Sequence, residues 1–267
     1  MKNQKLSVAF ILIFFISSLC TLKMNSQSAG QKLNLDLIFI GNSITEGAQL
    51  EKPGLEAPPA ISCDYLRHQQ GIVTAEFSNQ GKSGYTTVDF LPSGTGAFSD
   101  VLKAAHLLHK DNKRLLVFSI SLGTNDSAED GPNGSPVSPV DYHKNLKSIT
   151  DKLLAEFPGC KIIYQQPIWY SPTTHNHSTY MAAGLARLQS YFPELPKLVK
   201  EYSQSHPDQV FTGNLKGFEY FKINYLTDLI PESGKSGTFY LHPNKKGDIV
   251  LGTYWGESIY QSIFKNK

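Results

Sequence analysis

Cysteine is scarce in this chain, with three among 267 residues, and there is neither a CxxC pair nor a Cys/His array with zinc spacing. That excludes a disulfide-built scaffold and a structural zinc site, and no metal is expected. Charge of one sign is lacking too: 25 Lys and Arg stand against 23 Asp and Glu, a formal net charge of +2. No Lys/Arg block interleaved with aromatics stands out, so neither nucleic acid nor an anionic membrane is implied as a partner. Internal repeats, low-complexity tracts and a linker between two cores are all missing, which argues for one domain. With 40% hydrophobic and 18% charged residues, the chain is too balanced for disorder and long enough for one substantial α/β domain.

The first 30 residues read differently from the rest. Lys2 and Lys5 precede an apolar run from Val8 to Leu19, followed by the polar stretch Lys23 to Gly30. These are the n-region, h-region and polar end of a secretory signal peptide, taken here as residues 1–26, and the run is too short for a membrane span. An uncleaved anchor is the alternative. Lipid attachment at Cys20 is disfavoured by the bulky Leu19 before it. The expectation is therefore an exported protein, periplasmic or secreted, with no stable membrane insertion once the leader is removed. Cleavage near Ser26 to Ala29 would remove Cys20, leaving Cys63 and Cys160, which are read as two buried free thiols.

From Leu33 onward, strand-like and helix-like segments alternate, the pattern of a parallel sheet covered on both faces. Strand-like runs are Leu35 to Ile40, Thr74 to Ser78, Leu115 to Ser121, Lys161 to Gln165 and Gln209 to Phe211. Helical spacing of apolar residues is clearest between Val140 and Phe157, and Ala183 to Tyr202 and Asn244 to Phe264 behave similarly. The Pro- and Gly-rich stretches Glu51 to Pro59, Leu91 to Gly96 and Asp130 to Pro139 read as loops after strands, where specificity is usually built.

The most informative stretch is Leu35-Asp-Leu-Ile-Phe-Ile-Gly41-Asn42-Ser43. An apolar strand ends abruptly in a Gly-flanked Ser, and ligands in open α/β sheets bind at such carboxyl ends. On its own Ser43 is a nucleophile, a helix cap or a turn residue. A hydroxyl is a poor nucleophile at neutral pH, so a catalytic Ser43 needs a His base and donors aimed at an oxyanion. Candidates follow in order. Asn79-Gln-Gly81-Lys-Ser-Gly84 comes after the second strand, Gly123-Thr-Asn125-Asp126 after the third, and Leu241-His242-Pro243 just before the last helix, with Pro243 suited to its first turn. Trp169 and Tyr170, after the fourth strand, can stack on a sugar ring or simply pack. His175-Asn-His177 lacks acidic or Cys companions and reads as a solvated loop.

Taken together, Gly-Asn-Ser43, Asn79-x-Gly81-x-x-Gly84, Gly123-Thr-Asn125-Asp126 and Leu241-His242-Pro243 resemble the four blocks of the SGNH hydrolases, or GDSL esterases/lipases, over residues 35 to 260. The resemblance implies a flavodoxin-like three-layer α/β/α sandwich with a central parallel sheet of five strands, filling a domain of residues 33–265. It also implies no cofactor, with Ser43 as nucleophile, His242 as base, and Ser43, Gly84 and Asn125 as oxyanion donors. Two positions depart from the family pattern. Asn42 stands where Asp is usual, and Phe239 stands three residues before His242, where the family carries its triad acid. Asp228, Glu232 and Asp248 lie near in sequence, and none of them is assigned. The resemblance points to exported sialate or plant-polysaccharide acetylesterases, hence to an acylated carbohydrate as substrate. The alternatives are a lipid-directed esterase or lysophospholipase, and a non-catalytic glycan-binding module suggested by Phe239.

Overall fold

The computed structural model describes residues 32–94 and 96–264; the leader assignment and Cys20 lie outside them. Strand β1 (Leu33–Gly41) is followed by three short helices, α1 (Ser43–Glu46), α2 (Pro53–Glu56) and α3 (Pro58–Arg67), and then by β2 (Ile72–Gly81). Next come α4 (Ala97–Leu108), β3 (Leu115–Ser121), α5 (Pro139–Glu156) and β4 (Lys161–Tyr164). After α6 (Met181–Ser190), α7 (Glu194–Tyr202) and β5 (Val210–Thr212) the chain runs through α8 (Gly217–Asp228). It ends in a hairpin of β6 (Leu229–Gly234) and β7 (Gly237–Pro243) and the long helix α9 (Lys245–Phe264).

Five strands form one parallel sheet in the order β2-β1-β3-β4-β5, the flavodoxin-like order. Helices flank the sheet, as the alternation in the sequence requires. Leu35 and Leu37 to Ile40 are fully buried, as is most of Leu116 to Ile120 on β3, because central strands of such a sheet meet helices on both faces. The chain leaves β1 toward β2 on one side and β3 on the other. A crevice therefore opens at the carboxyl ends of these strands, where neighbouring connections diverge.

Three helical readings of the sequence are corrected. The segment Ala183 to Tyr202 is two helices, α6 and α7, because Pro193 lacks an N–H and disfavours helix at the residue before it. The stretch Glu51 to Pro59 is helical over most of its length: Pro53 and Pro58 each open a helix, in the first turn where their missing N–H costs nothing. His242 lies on β7, not at a helix entrance, and Pro243 closes that strand. Cys63 and Cys160 are both buried free thiols, and burial raises each to about 12.

One buried polar cluster ties the amino ends of the central strands. Asp36 on β1, 1% exposed, accepts from Arg114 Nε at 2.6 Å and pairs with His109 Nδ1 at 2.9 Å. Arg114 also donates to Leu35 O at 2.7 Å and Thr74 Oγ1 at 2.9 Å, binding β1 to β2 from below. Removing one partner of a buried pair leaves the other uncompensated. Asp36→Ala is expected to lower unfolding stability by about 3 kcal/mol, read from urea titration, with the structure around Ser43 unchanged.

Candidate active site

Ser43 lies two residues beyond the end of β1 and is the first residue of α1. The capping role falls to Asn42, whose Oδ1 accepts from Ile44 N at 3.0 Å. An Asn caps as well as the Asp usual in the family, so this departure leaves the local geometry intact. The Ser43 hydroxyl is consequently free of cap duty. Its Oγ lies 2.9 Å from Nε2 of His242, 199 residues away in sequence.

The other ring nitrogen of His242 answers the question raised by Phe239. Nδ1 lies 2.9 Å from Oε1 of Glu232, so Ser43, His242 and Glu232 form a continuous chain of hydrogen bonds. Phe239 is 1% exposed and belongs to the buried set Phe239, Leu241 and Pro243, alternating along β7 with the more open Tyr240 and His242. Glu232 stands directly across the hairpin from Phe239, so the carboxylate comes from β6, opposite the position that Phe239 holds on β7. Between the pairs Pro231↔Tyr240 and Leu229↔Pro243, β7 carries two residues against one on β6. Such a bulge re-aims side chains. The signal in the sequence was the turn Gly234-Lys-Ser-Gly237 between two strand-like runs, a hairpin pattern that brings Glu232 back toward His242. Of the other acids near in sequence, Asp228 is engaged by Lys246 at 2.6 Å and Tyr220 at 2.6 Å.

Two further strand ends face Ser43. Gly81, at the end of β2, passes so close to α1 that a Cβ there would lie 2.3 Å from Glu46 N, and Asn79 Nδ2 donates to Thr45 O at 2.7 Å. Glu46 in turn accepts from Ser83 N at 2.8 Å and from the Ser83 hydroxyl. These contacts pin the loop that carries Gly84. Gly84 has φ of +77°, a conformation glycine adopts without steric cost. From the β3 side, Asn125 is fixed at both ends of its amide: Nδ2 donates to Tyr85 O at 2.8 Å and Oδ1 accepts from Tyr180 Oη at 2.7 Å. The amide keeps a second N–H. Next to it, Asp126 Oδ1 accepts from Thr87 N at 2.9 Å and from the Thr87 hydroxyl, lacing the two loops together.

Ser43, Gly84, Asn125 and His242 all line one cavity of ≈ 360 Å³. Its remaining wall mixes polar and apolar groups, with Gln49, Ser83, Asn176, His177, Ser178 and Tyr180 beside Ala48, Pro132 and Leu241. The loop around His175-Asn-His177 thus borders the cavity, where the sequence suggested only a solvated turn. It is held there by the hairpin, since Lys235 N donates to His175 O at 2.8 Å. Trp169 and Tyr170 do not line the cavity. Trp169 is 7% exposed and packs on Tyr225, and Tyr170 is 1% exposed with its hydroxyl 2.9 Å from Ser127 Oγ. The connection after β4 is buried throughout from Gln165 to Ser171, so its aromatics serve packing. No cluster of three or more His, Cys, Asp or Glu able to hold a metal occurs among the described residues. Among them, too, no helix is long and apolar enough to cross a membrane.

The sequence profile of the GDSL-like lipase/acylhydrolase family matches residues 39–248. The chain belongs to that family. The match begins in β1 and ends in the first turn of α9, so it spans every element that contributes to the GDSL site described above. No curated protein sequence matches the chain. Solved structures with the same fold include a carbohydrate acetylesterase from Sinorhizobium meliloti, 16% identical with a TM-score of 0.55, covering 84% of this chain and 98% of that one. The aryl esterase of M. smegmatis is 16% identical with a TM-score of 0.55, over 85% and 98% of the two chains. A catalytic mutant of an acetylxylan esterase from Geobacillus stearothermophilus is 18% identical with a TM-score of 0.55, over 88% and 95%. At these identities the shared property is the fold.

Two buried carboxyls set a pH dependence for this GDSL chain. Burial pushes Asp126 up to about 6, and burial together with the negative charge of Glu56 pushes Asp248 up to about 8. A carboxyl raised in the folded state contributes stability that is complete below its unfolded value and is lost as pH rises through the folded one. Thermal stability is expected to fall between about pH 4 and pH 8. Asp248→Asn should flatten that slope, by a difference on the order of a few kcal/mol, in melts recorded across the range.

Proposed function

We propose that this protein is an exported serine esterase that removes short acyl groups, acetyl foremost, from a carbohydrate. The observation that carries this reading is the Ser43–His242–Glu232 chain, each link 2.9 Å, opening on a cavity that Gly84 and Asn125 also line. In acylation, Ser43 Oγ attacks the ester carbonyl while His242 Nε2 takes its proton. Glu232 holds the ring through Nδ1–H and balances the imidazolium charge. The oxyanion is met by the backbone N–H groups of Ser43 and Gly84 and the second N–H of Asn125. His242 then protonates the leaving alcohol, and water completes the cycle by displacing Ser43.

The sugar preference is supported by the cavity wall, in which hydroxyl, amide and imidazole groups outnumber apolar side chains. These suit the many hydroxyls of a glycan. A long acyl chain would need a continuous apolar groove, and Ala48, Pro132 and Leu241 do not compose one. Export is supported by the leader-like first 26 residues. A purely glycan-binding role, suggested by Phe239, loses its motive once Glu232 stands in the acid's place.

The test is a chain-length series of p-nitrophenyl esters. Turnover is expected to fall steeply beyond acetyl or propionyl and to vanish in Ser43→Ala. Glu232→Gln should lower kcat by up to about 10⁴-fold with little change in KM. Retained turnover in Ser43→Ala, or a preference for long chains, would overturn the proposal.

A further inference from the structure

Behind the Ser43–His242 pair lies a second, much smaller recess of ≈ 10 Å³, bounded by Gly47, Ala48, Leu50 and Pro243, with Asp248 of α9 in its wall. That is room for about one water and for little else. Asp248 is 2% exposed, and its Oδ1 has no hydrogen-bond partner among the described residues. A buried carboxyl oxygen left without a partner is costly, so a polar occupant of the recess is called for. The charged and titratable groups facing Asp248 are Glu56 from α2, itself held by Lys245 of α9 at 2.7 Å, and His242 from β7.

We propose that this recess seats the hydrolytic water and that Asp248 is the positioning residue that orients it toward the acyl-enzyme. The inference rests on the serine esterase reading. A water held there reaches both groups that deacylation needs, because Ser43 and His242 form part of the same wall. One hydrogen points to His242 Nε2 and the other to Asp248 Oδ1, which leaves a lone pair for the acyl carbon. As the water oxygen bonds to that carbon, His242 takes the first proton. The tetrahedral intermediate then collapses, the carbon–Oγ bond breaks, and His242 returns the proton to Ser43 as the carboxylic acid departs. An uncharged Asp248 does this without competing with Glu232 for the imidazolium. Acylation makes no use of the recess, since there the attacking oxygen is Ser43 itself.

Rapid-mixing kinetics with p-nitrophenyl acetate separate the two half-reactions. Asp248→Leu is expected to release the first equivalent of p-nitrophenol at the wild-type rate and then to turn over about 10- to 100-fold more slowly, with acetylated Ser43 accumulating in intact-mass spectra. Asp248→Asn, which keeps the shape and polar atoms of the neutral acid, should restore most of the steady-state rate. Asp248→Ala repeats the deletion with the recess enlarged rather than filled. Equal slowing of both phases would mark a merely structural role and overturn the proposal. So would a shift toward longer acyl esters with no trapped acyl-enzyme, which would make the recess an acyl seat. Failure of the wild type to turn over the ester, or retained turnover in Ser43→Ala, would instead overturn the esterase reading and this inference with it.

Discussion

The double pairing of β1, with β2 on one side and β3 on the other, is the constraint on which everything at the site depends. Residues Leu35 to Gly41 are in register with both neighbours at once, so the three strands end at one level. Ser43, Gly84 and Asn125 all lie within four residues of those ends. Their mutual distances are therefore inherited from backbone hydrogen bonds rather than set by long side chains. Elements of regular sheet hold a catalytic constellation more tightly than loops do. Below, the Asp36–Arg114 pair locks the same strands at their amino ends. Above, Asn79, Glu46 and Asp126 tie the loops to one another.

His242 reaches this frame by another route. It rides on a two-stranded hairpin separate from the parallel sheet, and that hairpin is moored to the loop after β4: Ser171 N donates to Tyr240 O at 2.9 Å, and Ser171 Oγ accepts from Tyr240 N at 2.9 Å. Trp169 packs at a tilt on Tyr225, which meets Tyr240 of the hairpin edge-to-face. The aromatics that suggested a sugar platform thus act one layer back, holding the strand that carries His242. The cavity is bordered instead by the smaller polar side chains of the His175 loop, itself pinned to the hairpin turn.

Moving the acid from position 239 to Glu232 follows from the same hairpin. Phe239 is buried among apolar neighbours, and the carboxylate is supplied by Glu232, its cross-strand partner on β6. The partner strand is then the nearest backbone from which a carboxylate can reach Nδ1. Such a chain of hydrogen bonds is defined by geometry, not by spacing along the sequence, and here the carboxylate that meets His242 Nδ1 comes from the partner strand.

Much of this was legible in the amino-acid order. The apolar runs of β1 and β3, the Gly-punctuated strand ends, and the candidates Ser43, Gly84, Asn125 and His242 stand out because strand burial and tight turns leave periodic and glycine-rich traces within a few residues. Other features had no such trace. Glu232 and Asp248 are ordinary acids until the hairpin and α9 fold over Ser43, Trp169 and Tyr170 look as exposed as any aromatics in a Pro-rich loop, and His177 looks idle. The sequence by itself determined which residues end the strands. Only the tertiary structure decided which acid meets the imidazole and which side chains border the cavity, because those contacts join segments whose separation along the chain carries no periodic signal.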